Sequence, residues 1–180
     1  MKSVRDSAHE PSRTPTLPAR IAPVSEYDVA QICLNGHIVT EFAAGSPHYR
    51  EEFCSRCGAR TITACENCKA DIRGYLHGSG YMGSMARPAF CQYCGHAFPW
   101  TTSALVAARE MADELDGLKP DERDALKGSL DDLVRDTVRT PLAVVRFKKL
   151  AAKAGKEGAA GLREVLISVV TETVRRAIWP

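Results

Sequence analysis

Seven cysteines and one histidine fall into four close pairs that could bind metal ions. Three pairs have the spacing Cys-x-x-Cys and one has the spacing Cys-x-x-x-His, and together they use every cysteine in the chain. The pairs are Cys33 with His37, Cys54 with Cys57, Cys65 with Cys68, and Cys91 with Cys94. Thiolate sulfur and imidazole nitrogen are the usual ligands of tetrahedral structural zinc sites. The sequence therefore predicts two structural Zn²⁺ ions, each held by four side chains.

An internal repeat indicates how the pairs combine. Residues 53–59, FCSRCGA, resemble residues 90–96, FCQYCGH, and each copy follows another ligand pair after a loop of 16 or 22 residues. Two successive units of pair, loop and pair favour one zinc on Cys33, His37, Cys54 and Cys57, and the other on Cys65, Cys68, Cys91 and Cys94. A crossed arrangement stays open, in which the first pair joins the third and the second joins the fourth.

The ligand count favours a structural role for the metal over a catalytic one. Catalytic zinc usually has three protein ligands and one open position, whereas these side chains fill two complete sites. The ligands lie within residues 26–100, a loop-rich segment with few large apolar residues. A segment of this kind needs a metal to fold. No Ser/His/Asp arrangement, HExxH motif or pair of acids in a recognisable setting indicates a hydrolase. We therefore predict that the protein is not an enzyme.

The composition divides the 180 residues into three segments. Residues 1–25 are rich in Pro, Ser, Arg and Thr, which predicts a disordered tail. Residues 26–100 contain all the ligands and are predicted to form tandem zinc ribbons of short β-strands. Residues 101–180 have apolar residues at helical spacing and no cysteine or histidine. The predicted fold class is α+β, a small metal-stabilised β-rich module followed by a helical module.

About four helices are expected in the last segment. They are placed at about 103–115, from 120 onward with an interruption at Gly128-Ser129, after Thr140-Pro141 as far as Gly155, and at about 157–178. The last would be roughly 33 Å long. It carries one apolar stripe, which is most simply part of the core. Its end, Ile178-Trp179-Pro180, could instead form a surface for homo-oligomerisation or contact a membrane surface.

Charge is distributed unevenly, although the net charge of the chain is only +2. Residues 26–100 carry six bases and seven acids, and thiolate-bound zinc makes them more negative, which disfavours a nucleic-acid surface there. Residues 101–136 have ten acids against five bases, whereas residues 137–180 have nine bases against three acids. One stretch contains six bases and no acid: Arg139, Arg146, Lys148, Lys149, Lys153 and Lys156. A basic amphipathic helix of this kind binds nucleic acid, an anionic membrane surface or an acidic partner, or packs on the acidic helices of its own chain.

The compartment is predicted from hydropathy and cysteine use. No apolar run approaches the roughly 18–20 residues that a membrane span requires, and the N-terminal residues lack the apolar centre of a secretory signal. Clustered cysteines in a reducing compartment are more often metal ligands than disulfides. These observations predict a cytoplasmic protein.

Several strings resemble known families. The repeated FCxxCG unit is similar to the double zinc ribbon class, and six longer strings resemble an uncharacterised bacterial family of about this length. Those strings are residues 27–37, 53–58, 72–75, 88–91, 98–101 and 146–149. The resemblance covers about residues 26–180 and implies bacterial origin, zinc and this architecture, but no activity.

The leading functional prediction is a non-catalytic adaptor or regulatory protein that engages a protein partner. The alternatives are a nucleic-acid-binding protein that uses the basic helix at residues 139–156, and a membrane-surface effector or an enzyme of unrecognised type.

Overall fold

Short strands and helices occupy separate parts of the chain. The computed structural model describes residues 26–78 and 85–179. We call residues 26–98 the metal half and residues 99–179 the helical half. Small antiparallel sheets form in the first and helices in the second, so the predicted α+β layout is confirmed. The tail predicted at residues 1–25 lies outside the described residues.

Five strands of two to four residues form two antiparallel sheets in the metal half. They are β1 (Tyr27–Val29), β2 (Gln31–Cys33), β3 (Ile38–Thr40), β4 (Thr61–Ile62) and β5 (Arg73–Leu76). Strand β1 pairs with β5, and β2 lies between β3 and β4. Sheets of two or three such short strands have little stability alone, so the metal half depends on what holds its loops together.

The core of the metal half is small and includes two of the metal-ligand candidates. Its buried apolar members are Ala30, Ile32, Ile62, Cys65, Ile72, Cys91, Phe98 and Trp100. Trp100 belongs to the first turn of the helical half, and its ring stacks on Phe98 at a centroid distance of 4.7 Å. The Trp100 indole N–H also donates to the Pro88 carbonyl at 2.8 Å. The two halves are therefore joined by shared packing and not by a free linker.

Five helices form the helical half within the described residues. They are α1 (Pro99–Asp113), α2 (Pro120–Arg135), α3 (Thr140–Lys153), α4 (Gly155–Leu166) and α5 (Glu172–Ile178). Each of the first three has a proline in its first turn, where its missing N–H costs nothing. Their apolar faces meet in one core around residues such as Leu126, Leu133, Phe147 and Leu162. None of the helices in the described part of the chain has the length and apolarity needed to cross a bilayer.

Helix α2 continues through the interruption predicted at Gly128-Ser129. Ser129 is buried and donates its hydroxyl to the Ala125 carbonyl at 2.8 Å, inside the helix rather than as a cap. Leu126 and Leu130 on either side are fully buried. The prediction was wrong here because tertiary packing of this apolar face outweighs the low helix propensity of one glycine.

The long terminal helix predicted at residues 157–178 is divided into α4 and α5, so the helical half has five helices and not about four. Residues 167–171 are non-helical, and Thr171 caps α5 by accepting a hydrogen bond from the Val174 N–H at 3.4 Å. The predicted apolar stripe still packs inward on both sides of the break, with Leu162 and Val174 buried. Within α5, Glu172 pairs with Arg176 at 2.7 Å.

Replacing Gly128 with alanine is expected to stabilise the protein by about 0.5–1 kcal/mol. Gly128 is exposed in the middle of α2, and a Cβ built there meets no atom within 4 Å. Alanine reduces the conformational freedom of the unfolded chain without a clash. Urea denaturation would show a higher midpoint, and a lower midpoint would contradict an unstrained helix at this position. Gly117→Ala is the matched control with the opposite sign, because its Cβ would lie 2.7 Å from the Lys153 carbonyl oxygen.

Candidate metal centres

The structure brings the eight predicted ligands together in two groups of four. Within each group the candidate ligand atoms all lie within 4.8 Å of one another. The groups are Cys33, His37, Cys54 and Cys57, and Cys65, Cys68, Cys91 and Cys94. This is the sequential arrangement, so the crossed alternative is not the one adopted. Either group could hold a metal ion.

The spacing within the groups matches the edges of a metal-centred tetrahedron. A tetrahedron with metal–sulfur distances of about 2.3 Å has sulfur–sulfur edges of about 3.8 Å. In the first group Cys33 Sγ lies 3.7 Å from Cys57 Sγ. In the second, Cys65 Sγ lies 3.8 Å from Cys94 Sγ and Cys68 Sγ lies 3.6 Å from Cys91 Sγ. The remaining position in the first group is the His37 Nδ1 atom, 3.7 Å from Cys54 Sγ.

Tight backbone turns position the cysteines. The Cys54 N–H donates to the Ala59 carbonyl and the Gly58 N–H donates to the Cys54 carbonyl, at 2.8 and 2.7 Å. The second repeat has the same two bonds at Cys91, both 2.8 Å long. Gly58 and Gly95 close these turns with φ values of 71° and 68°, where glycine has no Cβ penalty. The FCxxCG repeat is therefore a repeat of structure as well as of sequence.

Two asparagines contact the clusters, and the sequence reasoning missed both. The side-chain amide of Asn35 points at Cys57 Sγ at 3.4 Å, and that of Asn67 points at Cys94 Sγ at 3.6 Å. A signal was available, because each asparagine stands two residues after the first cysteine of its unit. Both support the outer, exposed cysteine of the opposite turn, as donors around a thiolate do in metal sites.

Backbone donors prepare two thiols for metal binding. The Ala59 N–H lowers the pKa of Cys57 to about 6, with Asn35 acting in the same direction. The His96 N–H, followed by Asn67, lowers the pKa of Cys94 to about 6. Metal binding requires thiolates, and a lowered pKa makes Cys57 and Cys94 lose their protons more readily.

The pKa values of Cys33 and Cys68 are shifted in the opposite direction. Burial raises the pKa of Cys33. At Cys68 the Ala70 N–H acts to lower the pKa, but desolvation and the neighbouring cysteine side chains outweigh it and raise the pKa to about 12. Thiolates that lie this close repel one another. A divalent cation at the centre of each group would offset that repulsion, and the donor set fits such a cation.

Arg87 connects the first cluster to the helical half. Its guanidinium donates to the Gly36 carbonyl at 2.9 Å, in the turn between Cys33 and His37, and to the Ser168 carbonyl at 3.1 Å. Ser168 lies in the break between α4 and α5. Burial lowers the pKa of Arg87, and the electrostatic interaction with Cys33 acts in the opposite direction. The break in the last helix thus supplies a carbonyl that one arginine ties to a metal-ligand turn.

Replacing Arg87 with methionine is expected to lower the free energy of unfolding by about 1–3 kcal/mol, because two carbonyl groups lose a charged donor. Methionine keeps the apolar stem beside the Trp100 ring, which lies 5.8 Å from the guanidinium. Urea denaturation would measure the loss. Arg146→Met is the control, since Arg146 is exposed and its substitution should change stability by less than about 0.5 kcal/mol. Equal midpoints for the two variants would contradict the proposed connection.

The basic stretch at residues 139–156 is only partly satisfied by the chain's own acids. Arg139 pairs with Asp132 at 3.0 Å and Lys153 with Glu122 at 2.7 Å, both on α2. The other four cations are exposed and form no ion pair with any described residue: Arg146, Lys148, Lys149 and Lys156. Packing on the acidic helix therefore accounts for the two cations near the ends of α3 but not for the middle of the helix.

Comparison with known proteins gives one match. The family model described as an uncharacterized protein conserved in bacteria, DUF2321, matches residues 26–178 and so spans both halves. Searches among curated proteins and among solved structures find no similar protein.

Proposed function

Since the chain belongs to DUF2321, an uncharacterised family of proteins conserved in bacteria, we propose a function from the geometry of its clusters. The protein is a non-catalytic adaptor or regulatory protein of the bacterial cytoplasm. Two structural zinc ions build a tandem zinc-ribbon scaffold, and that scaffold, with the helical half behind it, engages a protein partner.

The observation that carries this proposal is the completeness of the two ligand groups. Each group supplies four ligand atoms at tetrahedral spacing, which leaves no coordination position for a water or a substrate. Thiolate-rich tetrahedral sites favour zinc among the common divalent metals. A metal half with two-to-four-residue strands uses such ions to fold, so they support a scaffold rather than a reaction.

Exposed aromatic side chains on the scaffold favour the binding of a protein partner over that of a small substrate. In the second repeat, Phe90 packs against the helical core, and the Arg135 guanidinium lies 4.9 Å from the centre of its ring. In the first repeat the equivalent Phe53 is 57% exposed. Tyr93, next to the outer cysteine of the second cluster, is 66% exposed. Exposed aromatic side chains of this kind are enriched in protein interfaces.

Affinity capture from the native bacterium tests the proposal. The zinc-loaded chain should retain one or a few proteins at near-equal molar amounts, equally with and without nuclease treatment. Cys65→Ser, which removes one ligand of the second cluster, should lose them. Capture that disappears after nuclease treatment, or no retained protein from any growth condition, would overturn the adaptor role.

A second candidate function is nucleic-acid binding through α3. Arg146, Lys148 and Lys149 of α3 favour it, because they are exposed and form no ion pair with a described residue, and Lys156 at the start of α4 adds a fourth such cation. Binding of duplex DNA or RNA would weaken steeply as salt rises, with a slope set by the number of phosphates contacted. Charge-reversing Arg146→Glu should then lower the affinity for every sequence alike, and absent or salt-insensitive binding would exclude this candidate.

A further inference from the structure

Helix α3 exposes a row of aliphatic side chains. Val138, just before the helix, is 98% exposed, Leu142 is 48% exposed and Val145 is 64% exposed. Leu142 and Val145 lie three residues apart on one side of α3, and Val138 is in the turn that leads into the helix. The opposite side of the helix is fully used, because Phe147 and Leu150 are buried in the core. The row therefore faces outward because the helix is fixed in this orientation.

Cations lie on the same side of α3 as these aliphatic side chains. Arg146 and Lys149 lie four and seven residues after Leu142, and Lys148 lies three residues after Val145, so each is about one or two turns from an exposed aliphatic group. All three are exposed and have no ion pair within the described part of the chain. The surface thus combines aliphatic and positively charged side chains on one side of the helix. We call it the α3 face: Val138, Leu142, Val145, Arg146, Lys148 and Lys149.

We propose that the α3 face binds an acidic amphipathic helix of a protein partner. This inference rests on the proposed adaptor function and names the chemistry of the partner. The other side of α3 already shows the same mode of binding within the chain. There α2, an acidic helix, packs its leucines against α3 and pairs Asp132 with Arg139 and Glu122 with Lys153. A partner helix with an apolar stripe bordered by Glu or Asp would repeat this arrangement on the outer side.

The composition of the α3 face favours such a helix over nucleic acid or a membrane. Phosphate groups would meet the cations but leave the aliphatic side chains uncovered. A bilayer surface favours aromatic side chains and a wide apolar face. The α3 face has three aliphatic groups and no aromatic one, and the rest of the helix cannot turn outward to add more.

A peptide of defined design tests the inference on the full zinc-loaded chain. The probe is a fluorescein-labelled helical peptide of about five turns, with leucine at i, i+4 and i+7 and glutamate on both borders. Its control is a scrambled peptide of the same composition. Fluorescence anisotropy should show micromolar binding of the first peptide and at least tenfold weaker binding of the scrambled one.

Variants locate the binding. The double variant Leu142→Glu/Val145→Glu should weaken binding at least tenfold, and Arg146→Glu should weaken it several-fold. Val106→Glu is the matched control, because Val106 is 45% exposed on α1 and should leave the affinity unchanged. Circular dichroism confirms that the variants remain folded.

Parallel arms with duplex DNA and with vesicles containing phosphatidylglycerol decide between classes of partner. No binding of the designed peptide, binding that the double variant leaves unchanged, or tighter binding of DNA or vesicles through the same residues would overturn the inference. If the native partner is captured equally by wild type and by the double variant, the adaptor function stands and the α3 face is not its site.

Discussion

Removing the metal ions with a strong chelator is expected to unfold the metal half. Structural zinc contributes about 10–16 kcal/mol in small zinc domains, which is as large as the whole stability of a typical folded domain, about 5–15 kcal/mol. In this chain the strands contain two to four residues, and Cys65 and Cys91 are themselves part of the small core. Without the ions nothing of comparable strength holds the loops together, so residues 26–98 should lose their fixed structure.

Metal analysis and amide NMR check this expectation. Elemental analysis should find two zinc ions per chain, and chelation should collapse the dispersed amide signals of residues 26–98. Cys94→Ser should retain about one ion, because its loss affects one of the two groups. Ser55→Ala is the control, since it changes an exposed residue between two ligands without removing one. A single ion in the wild type, or a fully dispersed spectrum after chelation, would contradict two structural sites.

Replacing Phe147 with alanine is expected to destabilise the helical half by about 3–5 kcal/mol. Phe147 is 1% exposed and meets the Trp179 ring edge-on at a centroid distance of 5.7 Å. The smaller side chain leaves a cavity between α3 and α5 and removes this aromatic contact. Urea denaturation monitored by circular dichroism would measure the loss, and Trp179 emission should shift as its neighbour disappears.

Val145→Ala serves as the matched control for that experiment. It lies two residues away on the same helix, removes part of an aliphatic side chain, and is 64% exposed, so the expected change is below about 0.5 kcal/mol. A similar loss in both variants would mean that helix propensity, and not burial, determines the cost at Phe147.

Most of the features that were predicted correctly, the metal clusters and the starts of α2 and α3, depend on residues that are close together in the sequence. Ligand spacing and the FCxxCG repeat identify the clusters because each turn is built from adjacent residues. Prolines mark the starts of α2 and α3 because they suit the first turn of a helix, whereas α1 begins at Pro99, before the predicted start at about residue 103. By contrast, the pairing of β1 with β5 joins Tyr27 to Leu76 across the whole metal half, and no local pattern specifies such a contact.

The errors in the helical half have the same origin. The apolar stripe from Leu162 to Val174 continues through the break at residues 167–171, so its periodicity gives no warning. At the break, the Ser168 carbonyl accepts a hydrogen bond from Arg87 of the other half, and Thr171 caps α5. At Gly128 an interruption was predicted and none is present, because buried leucines keep α2 continuous. In both places distant packing outweighs local preference.

The unequal surroundings of Phe53 and Phe90 have a consequence for how the two repeats can change over time. Both phenylalanines precede the first cysteine of the same turn and form the same isolated bridge to the residue three places after the second cysteine. Phe90 packs against the helical core and lies beneath the Arg135 guanidinium, so its shape matters to the fold, whereas the Phe53 side chain is mostly exposed. We expect natural variants to keep an aromatic residue at position 90 to preserve folding. Whatever is kept at position 53 would then record selection by a binding partner.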